Sequence, residues 1–349
     1  MIFRQLYDAT SSTYTYLLGD EQTGQALLID PVYEQFQRDM ALLHELGLKL
    51  RLVIDTHAHA DHVTAAWRLR QATGCQIASA RSIGAEGVDL PLDHGQRVKV
   101  GDIELEVRAT PGHTDGCLSL VLADHSMVFT GDALLIRGCG RSDFQQGNAH
   151  TLFRSIKEQL FTLPDDCAVY PAHDYQGRTM SSIGEERRWN ARVGGRANEA
   201  DFVGYMEAMR LPHPRKIDEA VPANLRSGRP LDGELPVEPD WAELRITYAG
   251  VPEVESQWLL QHRAEVTLLD VRQNEEIISD EYPPALGNAI HIPLDQLHER
   301  LAEIPSERPV VALCRSGRRS ALATGILRDH GHARVASLHG GLLGLADGA

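Results

Sequence analysis

Four side chains able to hold a metal ion, His57, His59, Asp61 and His62, fall within six residues of one another. Imidazoles and carboxylates are ligands for zinc and iron, and burying them unpaired costs free energy. Packing alone does not account for such a cluster. The apolar run 51–55 precedes it and reads as a buried strand; the amphipathic stretch 61–71 follows and reads as a helix. The cluster is therefore expected on a strand-to-helix loop, where a rigid scaffold can aim several imidazoles at one point.

Three more signals share that context. His113 lies in Thr110-Pro111-Gly112-His113-Thr114, just after a strand expected at 103–109. Asp132 ends the run that starts at Met127, and His173 ends the run that starts at Val169. A lone histidine is more often structural. Separate groups that all follow strands can converge if those strands share a sheet edge. Seven groups could hold two metals with Asp132 between them, which would make a dinuclear zinc hydrolase that activates water.

A second chemical centre lies near the carboxy terminus. The apolar run 309–313 leads into Cys314, then Arg315, Ser316, Gly317, Arg318 and Arg319, with a helix expected over 319–330. A cysteine between a strand and a helix amino terminus meets loop N–H groups and the helix dipole, and arginines nearby favour its thiolate. Cysteine phosphatases place arginine after five intervening residues; here that position is Ser320, so their pattern fails.

Strands at 13–18 and 26–29, a hairpin at 19–24, a helix at 33–48 and a strand at 75–79 must position the first centre. Helices over 185–210 would cap the fold and close a substrate mouth. Strand alternating with helix points to an α/β layered architecture. Pro230, Pro236, Pro239, Gly228 and Gly233 interrupt any long element, so residues 226–244 are expected to link a domain at 1–225 to one at 245–349. The second domain is again α/β: a helix at 254–262, strands at 266–272 and 289–293, and a parallel-type strand at 309–313.

The bulk composition agrees. A chain of 349 residues is long for one core. A net charge of −15 argues against a general nucleic-acid binder, yet leaves room for small anions at local arginine clusters. Five cysteines without a CxxC suggest neither a disulfide framework nor a cysteine zinc site. No apolar run approaches the roughly 18 residues of a membrane helix, and the amino terminus has no signal-like core. A cytoplasmic protein without nucleic-acid or membrane partners is expected; a homo-oligomer stays open.

The pattern His57-x-His59-x-Asp61-His62 with His113, Asp132 and His173 resembles the metallo-β-lactamase superfamily. That resemblance implies an αββα sandwich over about residues 1–225, with the metal between two sheets. Arg137-Gly138-Cys139-Gly140-Arg141-Ser142-Asp143-Phe144-Gln145-Gln146-Gly147 and Pro171-Ala172-His173-Asp174-Tyr175-Gln176-Gly177 are similar to the persulfide dioxygenase branch. This branch implies one Fe(II) per chain held by His57, His113 and Asp132, with positions open for dioxygen and substrate. His59, Asp61, His62 and His173 would then orient the ligands through hydrogen bonds. The implied substrate is glutathione persulfide, oxidised to sulfite and glutathione. Arg141, Arg178 and Arg192 could hold glutathione carboxylates, with Tyr175 as hydroxyl donor. Cys139 could approach substrate but reads better as a small buried hydrophobe. The competing branch is glyoxalase II, a dinuclear zinc glutathione thioester hydrolase.

The loop at Cys314, with Leu269-Asp270-Val271-Arg272 and Ala289-Ile290-His291-Ile292-Pro293, resembles a rhodanese domain with a parallel sheet. It implies that Cys314 carries a sulfane sulfur between thiosulfate and glutathione. The whole chain resembles a persulfide dioxygenase–rhodanese fusion.

Overall fold

The computed structural model describes residues 1–209, 216–235, 241–279 and 283–347. They form two units, Met1–Leu235 and Pro236–Ala349.

The first unit holds two six-stranded sheets. One runs Ile2–Asp8, Thr13–Gly19, Gln25–Ile29, Lys49–Ile54, Gln76–Ala80, Leu90–Leu92 in chain order. The other runs Ser181–Ser182, Ala168–Pro171, Met127–Gly131, Leu118–Leu122, Ile103–Ala109, Arg97–Val100. Their strands are apolar on both faces because both faces are covered. Tyr16, Leu18, Leu27, Ile29, Leu52 and Ile54 meet Leu105, Leu118, Leu120 and Phe129 between the sheets. The alternate residues Leu17, Leu28, Val53 and Ile77 pack outward on Leu42, Leu43 and Leu69 of helices Phe36–Glu45 and Ala66–Thr73. On the far side Val121, Val128 and Val169 meet Leu152, Ile156, Phe202 and Met206. The layers are thus helix, sheet, sheet, helix, as the αββα expectation has it.

Two expected helices differ in extent. The helix anticipated from residue 61 begins only at Ala66. The preceding residues are held in an irregular loop by long-range bonds: the Tyr33 amide donates to the Val63 carbonyl, and the Thr64 hydroxyl donates to buried Asp55 at 2.8 Å. The helical stretch 185–210 is two helices, Ile183–Trp189 and Glu199–Ala208. The second begins in a reciprocal cap between Asn198 and Asp201.

The boundary is narrower than 226–244. The Ser227 hydroxyl donates to the Glu86 carbonyl at 2.6 Å, and a Cβ on Gly228 would collide with the Thr64 carbonyl, so both belong to the first unit. Trp241 and Leu244 pack on the core of the second. Of the expected linker, positions 236–240 lie outside the described residues.

The second unit has one sheet in the order Arg245–Ile246, Pro252–Val254, Val335–Leu338, Val310–Leu313, Thr267–Asp270, Ile290–His291. All pairings except the first are parallel. Val254, expected to open a helix, instead closes a strand paired to Leu338; the helix is Ser256–Gln261. Among the described residues no helix is long and apolar enough to cross a membrane.

Candidate functional site

His57, His113 and Asp132 each sit just past a strand of the first unit, and one ligand atom from each lies within 4.8 Å of the others. All three are buried. Their orientations follow from donor logic. The Thr56 hydroxyl donates to Asp30 Oδ2 at 2.8 Å, so its oxygen can only accept from His57 Nδ1, 3.0 Å away. That leaves His57 Nε2 with a free lone pair. His113 Nδ1 lies 2.6 Å from the Arg141 carbonyl, which can only accept. His113 Nε2 is therefore the free nitrogen, 3.5 Å from Asp132 Oδ2.

Asp132 is held from its backbone: its carbonyl accepts the Gly140 amide at 2.7 Å. Glycine is required at 140, since a Cβ there would lie 2.4 Å from that carbonyl and 2.8 Å from His113 Nδ1. Burial and the neighbouring His59, His113 and His173 hold the His57 imidazole well below its usual range, so it is neutral, the form a metal requires. Asp132 Oδ1 is buried without a hydrogen-bond partner. Its Oδ1 lies 3.7 Å from His173 Nε2 and its Oδ2 3.5 Å from His113 Nε2, and a buried carboxylate with no hydrogen bond on one oxygen among imidazoles fits a cation. The donor set of two imidazoles and one carboxylate suits a divalent metal ion with open positions.

The other four expected residues lie beside this triad without the expected role. His59 Nε2 is 3.0 Å from Asp30 Oδ1. His62 Nδ1 is 2.9 Å from Asp61 Oδ2, and His173 Nδ1 donates to the Ser12 carbonyl at 3.2 Å. None of the four hydrogen-bonds to His57, His113 or Asp132 among the described residues. Those orienting bonds come from Thr56 and the Arg141 carbonyl instead. His173 acts through charge: burial opposes its protonation, but Asp132 and Asp61 push it up to about 10. His59, Asp61 and His173 also bring ligand atoms within 4.8 Å of one another.

Several supporting residues carry no local motif. Thr13 is buried, its hydroxyl 3.0 Å from Asp61 Oδ2, 3.3 Å from His62 and 3.4 Å from His173. Asn224 clips the metal loop by donating to the His59 and His62 carbonyls, each at 2.9 Å. It ends helix Ile217–Asn224, which contains Pro222 and lies just before the expected linker.

The expected glutathione contacts separate. Tyr175 is 70% exposed and stacks on His173 with ring centroids 5.9 Å apart. Arg141 pairs with Asp143 and covers the Phe144 ring at 4.6 Å. Arg192 donates to the Cys139 carbonyl and lies 5.7 Å from the Tyr205 ring. Arg178 is forked onto buried Asp174, so its charge is already neutralised. Cys139 is a buried core residue whose thiol burial pushes up to about 11.

In the second unit Cys314 follows strand Val310–Leu313, and Gly317 at φ 85° turns the chain into helix Arg318–Asp329. The loop folds around the sulfur. Burial raises the Cys314 thiol, but the Ser320 hydroxyl and the N–H groups of Ser320, Ser316 and Arg319 outweigh it and lower the pKa. The Ser320 amide reaches Sγ at 3.4 Å. Gly341 closes the cradle: a Cβ there would lie 2.5 Å from the Cys314 carbonyl. Arg315, Ser316 and Arg318 are exposed around it.

The profile of the metallo-beta-lactamase superfamily matches residues 9–173, and that of the rhodanese-like domain matches residues 254–347. The human protein described as persulfide dioxygenase ETHE1, mitochondrial, is 52% identical over 229 residues, which cover 65% of this chain and 89% of that one. The chain belongs to the metallo-beta-lactamase superfamily. The crystal structure of ETHE1 from Myxococcus xanthus superposes with TM-score 0.63 at 53% identity, covering 65% of this chain and 100% of that one. A metallo-beta-lactamase structure from Staphylococcus aureus, 22% identical with TM-score 0.61, covers 97% of this chain and 98% of that one, a likeness of fold. The superfamily domain is thus followed by a rhodanese-like domain in one chain.

Proposed function

We propose that the first unit oxidises glutathione persulfide and the second moves sulfane sulfur onto glutathione. In the oxidation one glutathione persulfide, one dioxygen and one water give glutathione, sulfite and two protons. His57, His113 and Asp132 would hold a single Fe(II), which when bound supplies redox chemistry and open coordination positions. The chain does the rest. Thr56 and the Arg141 carbonyl each accept from Nδ1 of one imidazole and so turn Nε2 of both toward the centre. His173, with Nε2 3.7 Å from Asp132 Oδ1 and 3.6 Å from Asp61 Oδ1, stands beside the ligands. Arg141, Arg192 and exposed Tyr175 are proposed to hold the carboxylates and amides of glutathione; Arg141 would exchange the exposed Asp143 for them, whereas Arg178 is held by the buried Asp174.

At Cys314 the thiolate attacks the outer sulfur of thiosulfate. The sulfur–sulfur bond breaks and sulfite leaves with its electron pair. Glutathione thiolate then takes the outer sulfur from the Cys314 persulfide, regenerating the Cys314 thiolate and forming the first unit's substrate. One chain carrying both sites raises the local concentration of that intermediate. The setting proposed is the cytoplasm, since Cys75, Cys117, Cys139, Cys167 and Cys314 are all free thiols.

The observation that supports the oxidation most directly is the 52% identity over 229 residues to a protein described as a persulfide dioxygenase. The hydrolase reading keeps one point in its favour, the second ligand group of His59, Asp61 and His173. Asp30 occupies His59 Nε2 alone and Nδ1 stays buried without a partner, so metal content decides between the two readings. Anaerobically purified protein is expected to hold about one iron per chain and to consume dioxygen when given glutathione persulfide. Two zincs per chain with no dioxygen uptake would overturn the proposal in favour of thioester hydrolysis.

A further inference from the structure

The three arginines after Cys314 are not equivalent. Arg319 is forked onto Glu276, with Nη2 2.7 Å from Oε1 and Nη1 on the other carboxylate oxygen. Its guanidinium also faces the Cys314 sulfur. Arg315 and Arg318 are exposed, and among the described residues neither is in an ion pair. Glu276 comes from outside the loop, on helix Asn274–Ser279, and is fixed from behind by the Gln273 amide at 2.9 Å. The neighbouring Arg272 is buried and forked onto Asp270, so it reaches Glu276 only through space. The Arg319 hydrogen bonds hold the Glu276 carboxyl down to about 2, so it is ionised at any working pH. Among the described residues, the three guanidiniums and one carboxylate therefore leave two positive charges without an ion pair around the sulfur.

That balance bears on turnover. Thiosulfate arrives as a dianion and sulfite leaves as one. Any attraction that speeds entry also slows exit, because both carry the same charge. A third free guanidinium would bind the incoming anion harder and hold the product equally hard. Arg319, once neutralised, is left to hydrogen-bond to sulfur, and the exposed Arg315 and Arg318 are left to meet the anion.

We propose that Glu276 is a specificity-determining residue of the Cys314 site, limiting the pull of the loop on anions by pairing with Arg319. This rests on the reading of Cys314 as the sulfur carrier. Glu276 itself touches neither substrate nor sulfur; it acts through Arg319.

The test compares alkylation of Cys314 by iodoacetate, an anion, with alkylation by neutral iodoacetamide, in the full chain, read by mass spectrometry of the Cys314 peptide. The ratio of the two rates isolates the charge of the loop from the reactivity of the thiol. Releasing one unit charge beside the reacting atom, worth about 1 kcal/mol or less in water, is expected to raise the ratio about threefold in Glu276→Gln at low salt. Near 1 M salt, where screening acts within about 3 Å, the rise should vanish. Glu276→Asp should keep the wild-type ratio. Arg319→Gln, which leaves the carboxylate unpaired, should lower it about threefold, and the double variant should return to wild type. In thiosulfate turnover Glu276→Gln should show a lower KM together with tighter product inhibition by sulfite. An unchanged ratio in both single variants, or a rise that survives high salt, overturns the proposal. A wild-type Cys314 that takes no sulfur from thiosulfate would overturn the carrier reading alone, because the alkylation ratio is read on the bare thiol.

Discussion

Gly140→Ala tests whether the metal centre is built by the loop that carries no ligand. No positive φ forces glycine at this position, so the only penalty is collision: the new Cβ would lie 2.4 Å from the Asp132 carbonyl and 2.8 Å from His113 Nδ1. Neither atom can swing away, one being backbone and the other a ring atom that already donates to the Arg141 carbonyl. Ordinary contact begins near 3.4 Å, so the loop must retreat by about 1 Å. That stretches the Gly140-to-Asp132 bond of 2.7 Å and the His113-to-Arg141 bond of 2.6 Å past useful length. Losing the partner that orients a metal-binding imidazole typically lowers metal affinity 10–100-fold, or about 1.4–2.7 kcal/mol. The assay is anaerobic competition for Fe(II) against a chromophoric chelator, with metal per chain counted after gel filtration. Gly138→Ala is the control, two residues away, where a Cβ meets nothing nearer than 3.8 Å; it should bind iron as wild type does. Wild-type affinity in Gly140→Ala, or an equal loss in Gly138→Ala, would refute the reasoning.

Cys314→Ser should abolish thiosulfate consumption yet leave oxidation of added glutathione persulfide largely intact, and Asp132→Ala should do the reverse; oxygen uptake and sulfite release separate the two. Arg272→Ala should destabilise the second unit by about 3–5 kcal/mol, because it strands the buried Asp270 carboxylate; faster hydrogen exchange at the amides of Val310–Leu313 would register it, and unchanged protection would contradict it. Thiolate forms above the pKa, and that of Cys314 lies below the ordinary 9.0, so iodoacetamide labelling should reach its plateau at a lower pH than for a simple thiol. Cys139, with burial pushing it up to about 11, should stay unlabelled at pH 8 in the folded protein.

The positions of the two centres are legible along the chain. His57, His113 and Asp132 follow apolar runs, and Cys314 stands between such a run and a glycine-started helix, because strand periodicity and turn chemistry depend on sequence neighbours. The layered α/β architecture follows from the same local signals. The start of the helix at Ala66 rather than 61 is not legible, since what holds 61–65 open comes from elsewhere: Asp55, Tyr33 and Asn224.

The amino-acid order alone therefore determines which groups stand at strand ends and what chemistry their types allow. Tertiary structure decides which atom of each faces the centre. Thr56 borrows Asp30 from a neighbouring strand to set the His57 tautomer, and a carbonyl at Arg141 sets that of His113. Asp30 draws His59 aside, Asp174 neutralises Arg178, and Glu276 neutralises Arg319. Apart from the local Asp174–Arg178 pair, these donor, acceptor and charge balances are closed by partners distant in the chain, and no local pattern specifies which partner arrives.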